Sequence, residues 1–485
     1  MASGSYCKLN FSRNNLMLSS SLQRTLPQDR DLINTAFSQD LARVFDDFCV
    51  FLSFGRRDEA LMAIEEAVEL RQRHTADRPN TSNPDLAISL NHLASRLTDL
   101  GRREEALQAA ERAVKLCRQL VADDPTAVNS CLGASLSNLA NCLSRLGFRK
   151  EALQAIQEAV EVYRPFAANN PTLYNGDLAF SLNHLAKCLS FVGCPEDALR
   201  AVDEAVMIYR PLATDRPKVF KPNLAYSLGN LARCLSDLGR RQEAVKAEKE
   251  AVKIYRSLAA DHPAKFNPNL AYSLNNLAKD MTHFGHQDNA LKAVKEAVDM
   301  YRRLADNHPA TFNPNLAYSL NNLAKCLFHL GRKEDALQRL HEAIKIRRRL
   351  AREHSATFNC DLAISLNNLA ELLSDLGNHG EALEAAQEAV ELCRELAVDH
   401  AAATNPDLSL SLNNLSNCLF SLGRQDDALH YMEESIELRQ QLAAQHPVRF
   451  NPDLAVSLRT YAKWMSDLGH QEKARQITQE ANKLM

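Results

Sequence analysis

The sequence lacks several features that would point to a particular class of function. Its 485 residues include one tryptophan, aromatic side chains make up 6 %, and the twelve cysteines form no Cys-x-x-Cys pair. Lysine plus arginine (57) nearly balances aspartate plus glutamate (60), so there is no basic excess of the kind that draws proteins to nucleic acid. No apolar run is long enough to span a membrane, and no secretory signal stands at the start. We therefore expect neither a membrane nor a nucleic-acid partner.

The motifs that carry common enzyme chemistry are also missing. There is no Gly-x-x-x-x-Gly-Lys-Ser/Thr phosphate loop, no His-Glu-x-x-His, no Gly-x-Ser-x-Gly and no kinase set. We therefore predict a protein without catalytic residues, metal or cofactor. Five cysteines share one repeat position and are interpreted as soft side chains that fill a packed seam in a reducing compartment: Cys142, Cys188, Cys234, Cys326 and Cys418.

The dominant feature of the sequence is an internal repeat. The stretch from Asn313 to Gly331 recurs in near copies, and each copy ends in a glycine. Successive glycines are 46 residues apart throughout: Gly55, Gly101, Gly147, Gly193, Gly239, Gly285, Gly331, Gly377, Gly423 and Gly469. A fixed period in this range predicts stacked supersecondary units. We assign ten repeats to residues 39–485 and a flexible leader to residues 1–38.

One unit shows why each repeat is predicted to be a pair of helices. Asn83 is a suitable N-cap and Pro84 a suitable first helical residue, and apolar residues then follow at helical spacing. Gly101 is predicted to end this helix A, and helix B then runs from Arg102 to about Val121. A short loop, typically of the form Ala-x-Phe-Asn-Pro, is predicted to lead into the next helix A. Alanine stands five places after all ten glycines, where the two helices would touch.

These residues resemble the tetratricopeptide repeat: the Leu-x-x-Leu-Gly turn, the two helix-B alanines and the late proline match its pattern. The long helix B and the Asn-Pro-Asp-Leu-Ala phrase resemble the kinesin light chain branch of that family, but the heptad coiled coil of those proteins is missing here. The resemblance implies an all-α solenoid coiled as a right-handed superhelix, with the A helices lining the concave face. It also implies that amides on this face contact cargo peptides that are acidic and carry an aromatic anchor.

We count positions from the repeat glycine, so that column −9 holds the residue nine places before it. Columns −13, −10, −9 and −6 share one face of helix A by helical arithmetic. In four consecutive repeats they combine an aromatic residue, amides or a histidine, and a cation. The predicted peptide-binding residues are Phe180, Tyr226, Tyr272 and Tyr318 (column −13), Asn275, Asn321, Asn367 and Asn413 (column −10), His184, Asn230, Asn276, Asn322, Asn368 and Asn414 (column −9), and Lys187, Arg233, Lys279 and Lys325 (column −6).

Two interpretations of this face remain open. Asparagine is a poor residue for the middle of a helix, so its repeated use indicates that the amide is needed. A row of amides could pair with the backbone of an extended peptide, with the tyrosines as apolar anchor sites and the cations favouring carboxylates. Alternatively, the asparagines bond across adjacent repeats and fix their stacking. A scaffold that binds an acidic, aromatic-anchored peptide is the function predicted from the sequence.

Other functions and locations are also retained. One alternative is a sensor array that acts with a nucleotide-switch module, and another is a cargo-adaptor subunit. The cytoplasm is the expected compartment, with a mitochondrial alternative because the first 28 residues are rich in serine and contain no acid. The sequence does not identify the partner, the pathway or the oligomeric state.

Overall fold

The computed structural model describes residues 57–77, 84–123, 129–282, 286–353, 355–445 and 447–484. The leader predicted for residues 1–38 and the first repeat as far as Gly55 lie outside these ranges, so both remain predictions. The described ranges are helical and contain no strand.

Eighteen helices make up the described part of the chain. The first is a helix B, and helix A and helix B then alternate, except that one long helix combines both. They are α1 (Arg57–Asp77), α2 (Pro84–Asp99), α3 (Arg103–Asp123), α4 (Asn129–Leu146), α5 (Arg149–Asn169), α6 (Pro171–Phe191), α7 (Pro195–Asp215), α8 (Pro217–Asp237), α9 (Arg241–Asp261), α10 (Pro263–Thr282), α11 (Gln287–Asn307), α12 (Pro309–His329), α13 (Lys333–Glu353), α14 (Ser355–Asp375), α15 (His379–Ser421), α16 (Gln425–Gln445), α17 (Pro447–Asp467) and α18 (Gln471–Lys483).

The chain divides into two compact units, Met1–Pro171 and Thr172–Met485. In each unit most helices pack against the next one along the chain, and in the second unit A helices of successive repeats also touch, as α10 and α12 do. The alanines five and twelve places after the glycine are buried at these contacts, for example Ala290 and Ala297. The predicted all-α stack of helix pairs is confirmed.

The repeat glycines end helix A because they adopt a left-handed conformation that other residues reach only with strain. All eight that lie in the described ranges have φ between 73° and 90°. At Gly331, the backbone N–H of Arg332 donates to the carbonyl of Leu327 at 2.9 Å, and the glycine N–H donates to Phe328 at 2.9 Å. This pattern satisfies the last carbonyls of the helix and starts helix B at once.

The predicted loop before helix A is wrong. In most repeats helix A begins at the late proline, about five residues earlier than predicted, so the Ala-x-Phe-Asn-Pro segment forms its first turns. In α8, for example, Pro217 is the first helical residue and Pro222 lies inside the helix. The reason is that Pro217 suits the first helical position as well as Pro222 does. Inside the helix, Pro222 removes only a single hydrogen bond, near the N-terminal end.

A single residue separates helix B from the next helix A between α7 and α8, α9 and α10, and α11 and α12. Arg216, His262 and His308 have φ between −128° and −138° and ψ near 71°, outside the helical region. Each precedes a proline, whose ring disfavours the helical conformation for the residue before it. Ala401 replaces that proline in one repeat. There helix B and the following helix A form the single helix α15 of 43 residues.

A row of ion pairs joins successive B helices on their exposed side. In the second unit, an arginine of one helix B reaches a glutamate of the next, as with Arg256 and Glu296 at 2.7 Å or Arg302 and Glu342 at 2.8 Å. The same pair recurs between Arg210 and Glu250 at 2.7 Å. These groups are largely exposed, so each pair contributes at most about 1 kcal/mol to stability.

A buried seam joins successive A helices near their C-terminal ends. The column −5 cysteines are buried there, as predicted, and each lies beside the column −3 residue of the preceding repeat. The oxygen of Thr282 lies 3.1 Å from the sulfur of Cys326, and that of Ser374 lies 3.5 Å from Cys418. Among the described residues, no group of three or more His, Cys, Asp or Glu side chains could hold a metal ion.

Candidate functional site

The predicted binding residues all lie on A helices of the second unit, from α6 to the second half of α15. Their face is called here the A-helix surface. Phe180, Tyr226 and Tyr272 are 43–50 % exposed on it. Lys279 and Lys325 are also exposed. The half-buried members are Tyr318, Lys187 and Arg233.

The column −10 asparagines point into the stack and join one repeat to the next. The amides of Asn183, Asn321, Asn367 and Asn413 each pair with the column −12 serine of the following A helix. Asn183 donates to Ser227 at 2.7 Å, and the same bond closes at 2.9 Å from Asn321 to Ser365 and at 2.8 Å from Asn367 to Ser411. In the next repeat Ser457 donates to the amide oxygen of Asn413 at 2.9 Å. Asn275, Asn321 and Asn367 are almost completely buried.

The column −9 asparagines extend this chain in the opposite direction. Asn230 donates to Asn183 at 3.2 Å, Asn322 donates to Asn275 at 3.1 Å, and Asn414 donates to Asn367 at 3.5 Å. The two columns and the serines thus form one amide ladder across successive repeats. This is the stacking role that the sequence left open for the asparagines. Peptide binding by the same residues remains a prediction, which now depends mainly on the exposed aromatic residues and lysines of the surface.

Between Asn183 and Asn413 the asparagines of column −10 are interrupted at one place, where Gly229 stands. A cavity of about 460 Å³ opens there on the A-helix surface, between α8 and α10. Its lining includes eight of the predicted residues: Lys187, Tyr226, Asn230, Arg233, Tyr272, Asn276, Lys279 and Tyr318. Asn276 would face the missing amide, because its counterpart Asn322 donates to Asn275 in the intact part of the ladder.

Glu248 of α9 forms part of the cavity wall. Its column, nine places after the glycine, is apolar in every other repeat except the last, which has Thr478. The side chain is completely buried, and neither carboxylate oxygen has a hydrogen-bond partner. Burial raises the pKa of Glu248 to about 8, an effect that the nearby Ser273 opposes and the carboxylate of Asp280 reinforces.

Asp280 is a second exception in the same cavity. It occupies column −5, where neighbouring repeats have cysteine, and it is 9 % exposed. Ser236 donates to its carboxylate at 2.8 Å. Burial raises the pKa of Asp280, while Ser236 and the adjacent Lys279 lower it. Gly229, Glu248 and Asp280 therefore bring three departures from the repeat pattern together at one cavity.

Tyrosines surround this cavity on several sides. Besides the predicted column −13 residues, Tyr255 and Tyr301 from the B helices contribute to its lining. The hydroxyl of Tyr301 donates to the carbonyl of Pro268 at 3.2 Å, which fixes the ring against helix A of its own repeat. Burial raises the pKa of Tyr255, and the negative charge of Glu248 contributes to the shift.

Cationic side chains lie nearer the mouth of the cavity. Lys279 is exposed, whereas Arg233 is half-buried and donates to the amide oxygen of Asn230 at 3.5 Å. The Nε of Arg233 is buried and has no hydrogen-bond partner. The cavity thus runs from a positively charged mouth to a floor that holds two carboxyl groups.

The remaining predicted residues lie outside this cavity. The rings of Phe180 and His184 lie with their centroids 4.5 Å apart and their planes tilted by 44°, beside a second cavity of about 280 Å³. Burial and the charge of Lys187 lower the pKa of His184 to about 4, so this imidazole is neutral at pH 7. Lys325 and Asn368 line a space of only about 90 Å³ further along the surface.

Sequence reasoning missed Glu248, Asp280, Tyr255 and Tyr301. The first two were detectable, because each departs from the apolar residue or cysteine that its column holds in the neighbouring repeats. Tyr255 and Tyr301 occupy one column of helix B, and the sequence gives no sign that this column does more than pack. Only the three-dimensional arrangement shows that they border the cavity.

Comparison with known families identifies the repeats. One model of the tetratricopeptide repeat matches residues 86–126, 132–164, 224–264, 270–310 and 316–355, and a second matches residues 361–441. Together they cover more than half of the chain, so the chain belongs to the tetratricopeptide repeat family. A model of anaphase-promoting complex subunit 5 matches only residues 34–79 and 167–214. None of the curated proteins matches the chain significantly.

Solved structures share the fold at low sequence identity. The apo form of RapI aligns over 82 % of this chain and 97 % of its own, with a TM-score of 0.54 and 12 % identity. A Rap protein complexed with Competence and Sporulation Factor aligns over 83 % and 98 %, with a TM-score of 0.52 and 14 % identity. Putative kinesin light chain TPR-like repeats from Podosopora anserina are 22 % identical and cover 47 % of this chain and 99 % of their own, but the TM-score is only 0.37.

These matches support an all-α tetratricopeptide solenoid of the kind that binds other proteins. The described helices also show no segment with the length and apolar character needed to cross a bilayer.

Proposed function

We propose that the protein is a non-enzymatic scaffold that binds an extended segment of a partner protein along the A-helix surface. The four repeats that contain Gly193, Gly239, Gly285 and Gly331 would supply most of the affinity. The observation that carries this proposal is the 460 Å³ cavity, where exposed tyrosines, an amide and cations meet on one surface. Apolar pockets with a few polar groups are the usual form of a binding site.

The exposed residues indicate what the segment would contain. Tyr226 and Tyr272 offer broad apolar surface to an aromatic or aliphatic anchor, which would bury area that is now in water. Lys279 and Lys325 project from the same surface and would favour carboxylates beside that anchor. An acidic segment with an aromatic anchor is therefore the preferred partner.

The amide ladder limits how the segment would be held. Asn321 and Asn367 are committed to bonds with serines of the next repeat, so they have little capacity for a peptide backbone. Asn276 faces Gly229 and lines the cavity, so it is the asparagine best placed to bind a ligand. A related fold has been solved with a bound factor, namely the Rap protein complexed with Competence and Sporulation Factor, which supports ligand binding by stacks of this type.

The test is peptide-phage display with the folded protein as bait. Wild type would be compared with the variant Tyr226→Ala, Tyr272→Ala, Lys279→Ala, whose three positions are exposed or half-buried on the A-helix surface. A matched control, Arg256→Ala with Arg302→Ala, removes two large side chains from the opposite B-helix row. Circular dichroism would first establish that all three proteins keep the same helix content.

We expect wild type and the B-helix control to enrich acidic peptides with an aromatic residue, and the A-helix variant to lose them. Equal enrichment by all three proteins would move the binding surface elsewhere. Absence of any enriched peptide with wild type would overturn the proposed peptide-binding function.

A further inference from the structure

We propose that the cavity beside Gly229 is a specific site for a cationic group, either an ammonium or a guanidinium, which would pair with the carboxylate of Glu248. This site goes beyond the proposed function, because a free amine could occupy it as well as an arginine or lysine side chain of a bound segment.

The first argument is the unpaired carboxylate. A buried carboxyl group without hydrogen bonds is costly, and proteins usually pair such groups or replace them by apolar residues. Here the column is apolar in the neighbouring repeats, with Val202 before and Val294 after. Glu248 is completely buried, and neither of its oxygens closes a hydrogen bond with another of the described residues, although the hydroxyl of Ser273 lies near enough to lower the pKa of the carboxyl group. A cationic ligand would supply that partner.

The second argument is the space in front of the carboxylate. A Cβ atom built on Gly229 would lie 3.8 Å from one carboxylate oxygen of Glu248 and 4.0 Å from the other. An asparagine at this position, as in the neighbouring repeats, would therefore occupy the approach to the carboxylate. The glycine removes the amide and leaves the approach open to the 460 Å³ cavity.

The third argument is the surrounding chemistry. Tyr226, Tyr255 and Tyr272 line the same cavity, and aromatic rings attract cations through their negatively charged faces. Asp280 adds a second carboxyl group to the floor. An anionic group placed there would meet two carboxyl groups, whereas a cation would be attracted to both.

The positive mouth of the cavity adds a further requirement. Lys279 and Arg233 lie closer to solvent than Glu248, so a ligand with only positive charge would bind more weakly than one that also carries a carboxylate. A ligand that ends in a cation and carries a carboxylate behind it matches the sequence of charges from floor to mouth. An arginine inside an acidic segment has this arrangement.

The test uses isothermal titration calorimetry with three probes. The first is a short peptide with one central arginine between two aspartates, the second is the same peptide with citrulline, and the third is agmatine. Citrulline has nearly the shape of arginine without its charge. We expect the arginine peptide to bind wild type at least about tenfold more tightly than the citrulline peptide, because only the cation can pair with the carboxylate.

Glu248→Gln should reduce arginine-peptide binding to the level of the citrulline peptide. Glu250→Gln is the matched control, because Glu250 lies on the same helix but pairs with Arg210 on the exposed B-helix row. A second variant fills the cavity with the residues found two repeats later: Gly229→Asn, Ser236→Phe, Glu248→Leu and Asp280→Leu. It should bind neither arginine peptide nor agmatine, and it gives an answer even if Glu248→Gln folds poorly.

Agmatine separates the two sources of the cation. Binding of agmatine that competes with the arginine peptide supports a site open to free amines, and binding of the peptide alone supports a site for a partner side chain. Equal affinity of the arginine and citrulline peptides, or unchanged arginine-peptide binding by Glu248→Gln, would overturn the cationic site. The phage-display test is independent of this result, so the peptide-binding surface can survive failure of the site.

The pH dependence supplies another readout. As the pH rises from 6 to 9, Glu248 loses its proton and should attract the guanidinium more strongly, whereas binding by Glu248→Gln should change little. The comparison between the two proteins cancels the contribution of the other titratable and charged groups of the cavity. These groups are Lys187 on α6, Tyr226, Arg233 and Asp237 on α8, Tyr255 on α9, Tyr272, Lys279 and Asp280 on α10, Tyr301 on α11 and Tyr318 on α12.

Discussion

Two places on the A-helix surface, two repeats apart, occupy equivalent positions in the repeat pattern but differ in many side chains. At the first, Gly229, Ser236, Glu248 and Asp280 line a cavity of about 460 Å³. At the second, the residues equivalent to these four are Asn321, Phe328, Leu340 and Leu372, and the space is only about 90 Å³. A repeat protein can thus hold a polar cavity at one junction and a nearly filled space at an equivalent one.

The comparison also separates packing from potential binding. At the second place Asn321 bonds to Ser365 and Leu340 is buried among apolar neighbours, so the side chains satisfy one another. At the first place a buried carboxylate lacks any partner within the protein. Natural proteins retain such a group at a cost in stability, which is the usual mark of a functional position.

The strongest way to break the comparison is to place a glutamate at the second junction. Leu340→Glu puts a carboxylate next to Asn321, without the opening that Gly229 provides at the first. We expect it to reduce the free energy of unfolding by about 3–5 kcal/mol, because an unpaired charge becomes buried in an occupied space. Urea unfolding followed by circular dichroism measures this loss. A cost below about 1 kcal/mol would mean that the second junction opens as readily as the first.

A change of pH sharpens the comparison without altering the shape of the cavity. The folded-state pKa of Glu248, about 8, lies above its ordinary value of 4.5. The folded protein therefore holds a proton that the unfolded chain releases, and stability is lost as the pH rises from about 4.5 through about 8. The steepest loss is about 1.4 kcal/mol per pH unit.

The measurement for this effect is urea unfolding of wild type and Glu248→Gln at pH 5, 6, 7 and 8. We expect wild type to lose stability relative to the glutamine variant across that range. A difference that stays constant with pH would show that Glu248 titrates normally in the folded state.

Two asparagines test the intact and interrupted parts of the amide ladder. Asn367 is buried and donates to Ser411 at 2.8 Å, so Asn367→Ala should cost about 1–3 kcal/mol by leaving that contact unmade. Asn276 faces Gly229, where the ladder has no amide, and Asn276→Ala should cost less than about 0.5 kcal/mol. Thermal unfolding of the two variants gives both values. Equal losses would mean that the ladder does not stabilise the stack.

The smallest effect is expected on the exposed B-helix row, which is the same at both places. Arg256→Gln removes the ion pair with Glu296 and should lower stability by about 0.2–1 kcal/mol. The loss should shrink when salt is raised, because screening weakens exposed charge pairs. A loss that is independent of salt would indicate that the arginine acts through packing of its aliphatic part.

The periodic part of the fold could be predicted from the sequence. The 46-residue spacing of Gly331 and its counterparts fixed the helix pairs, and the left-handed glycines confirm where helix A ends. The start of helix A could not be placed correctly, because two prolines such as Pro217 and Pro222 compete for the first helical position. Sequence preferences alone do not decide between them, and packing against the preceding helix B does.

The candidate site was predictable only in part. Columns −13 and −6 correctly located Tyr226, Tyr272 and Lys279 on one surface. Spacing along one helix cannot show which side of an asparagine faces the next repeat, so the burial of Asn321 and Asn367 required the structure. Glu248 lies on the other helix of the pair, and its approach to Gly229 depends on tertiary packing.

The amide ladder has a direction, and this has a consequence for how such a chain can lengthen. Column −10 amides such as Asn183 meet a serine of the repeat that follows, and column −9 amides such as Asn230 meet the repeat that precedes. A duplicated repeat inserted between two others would find a matching hydrogen-bonding neighbour on both sides. The interruption at Gly229 would be copied along with its repeat, so duplication of that one segment would multiply the cavity, whereas duplication elsewhere would only change its distance from the ends.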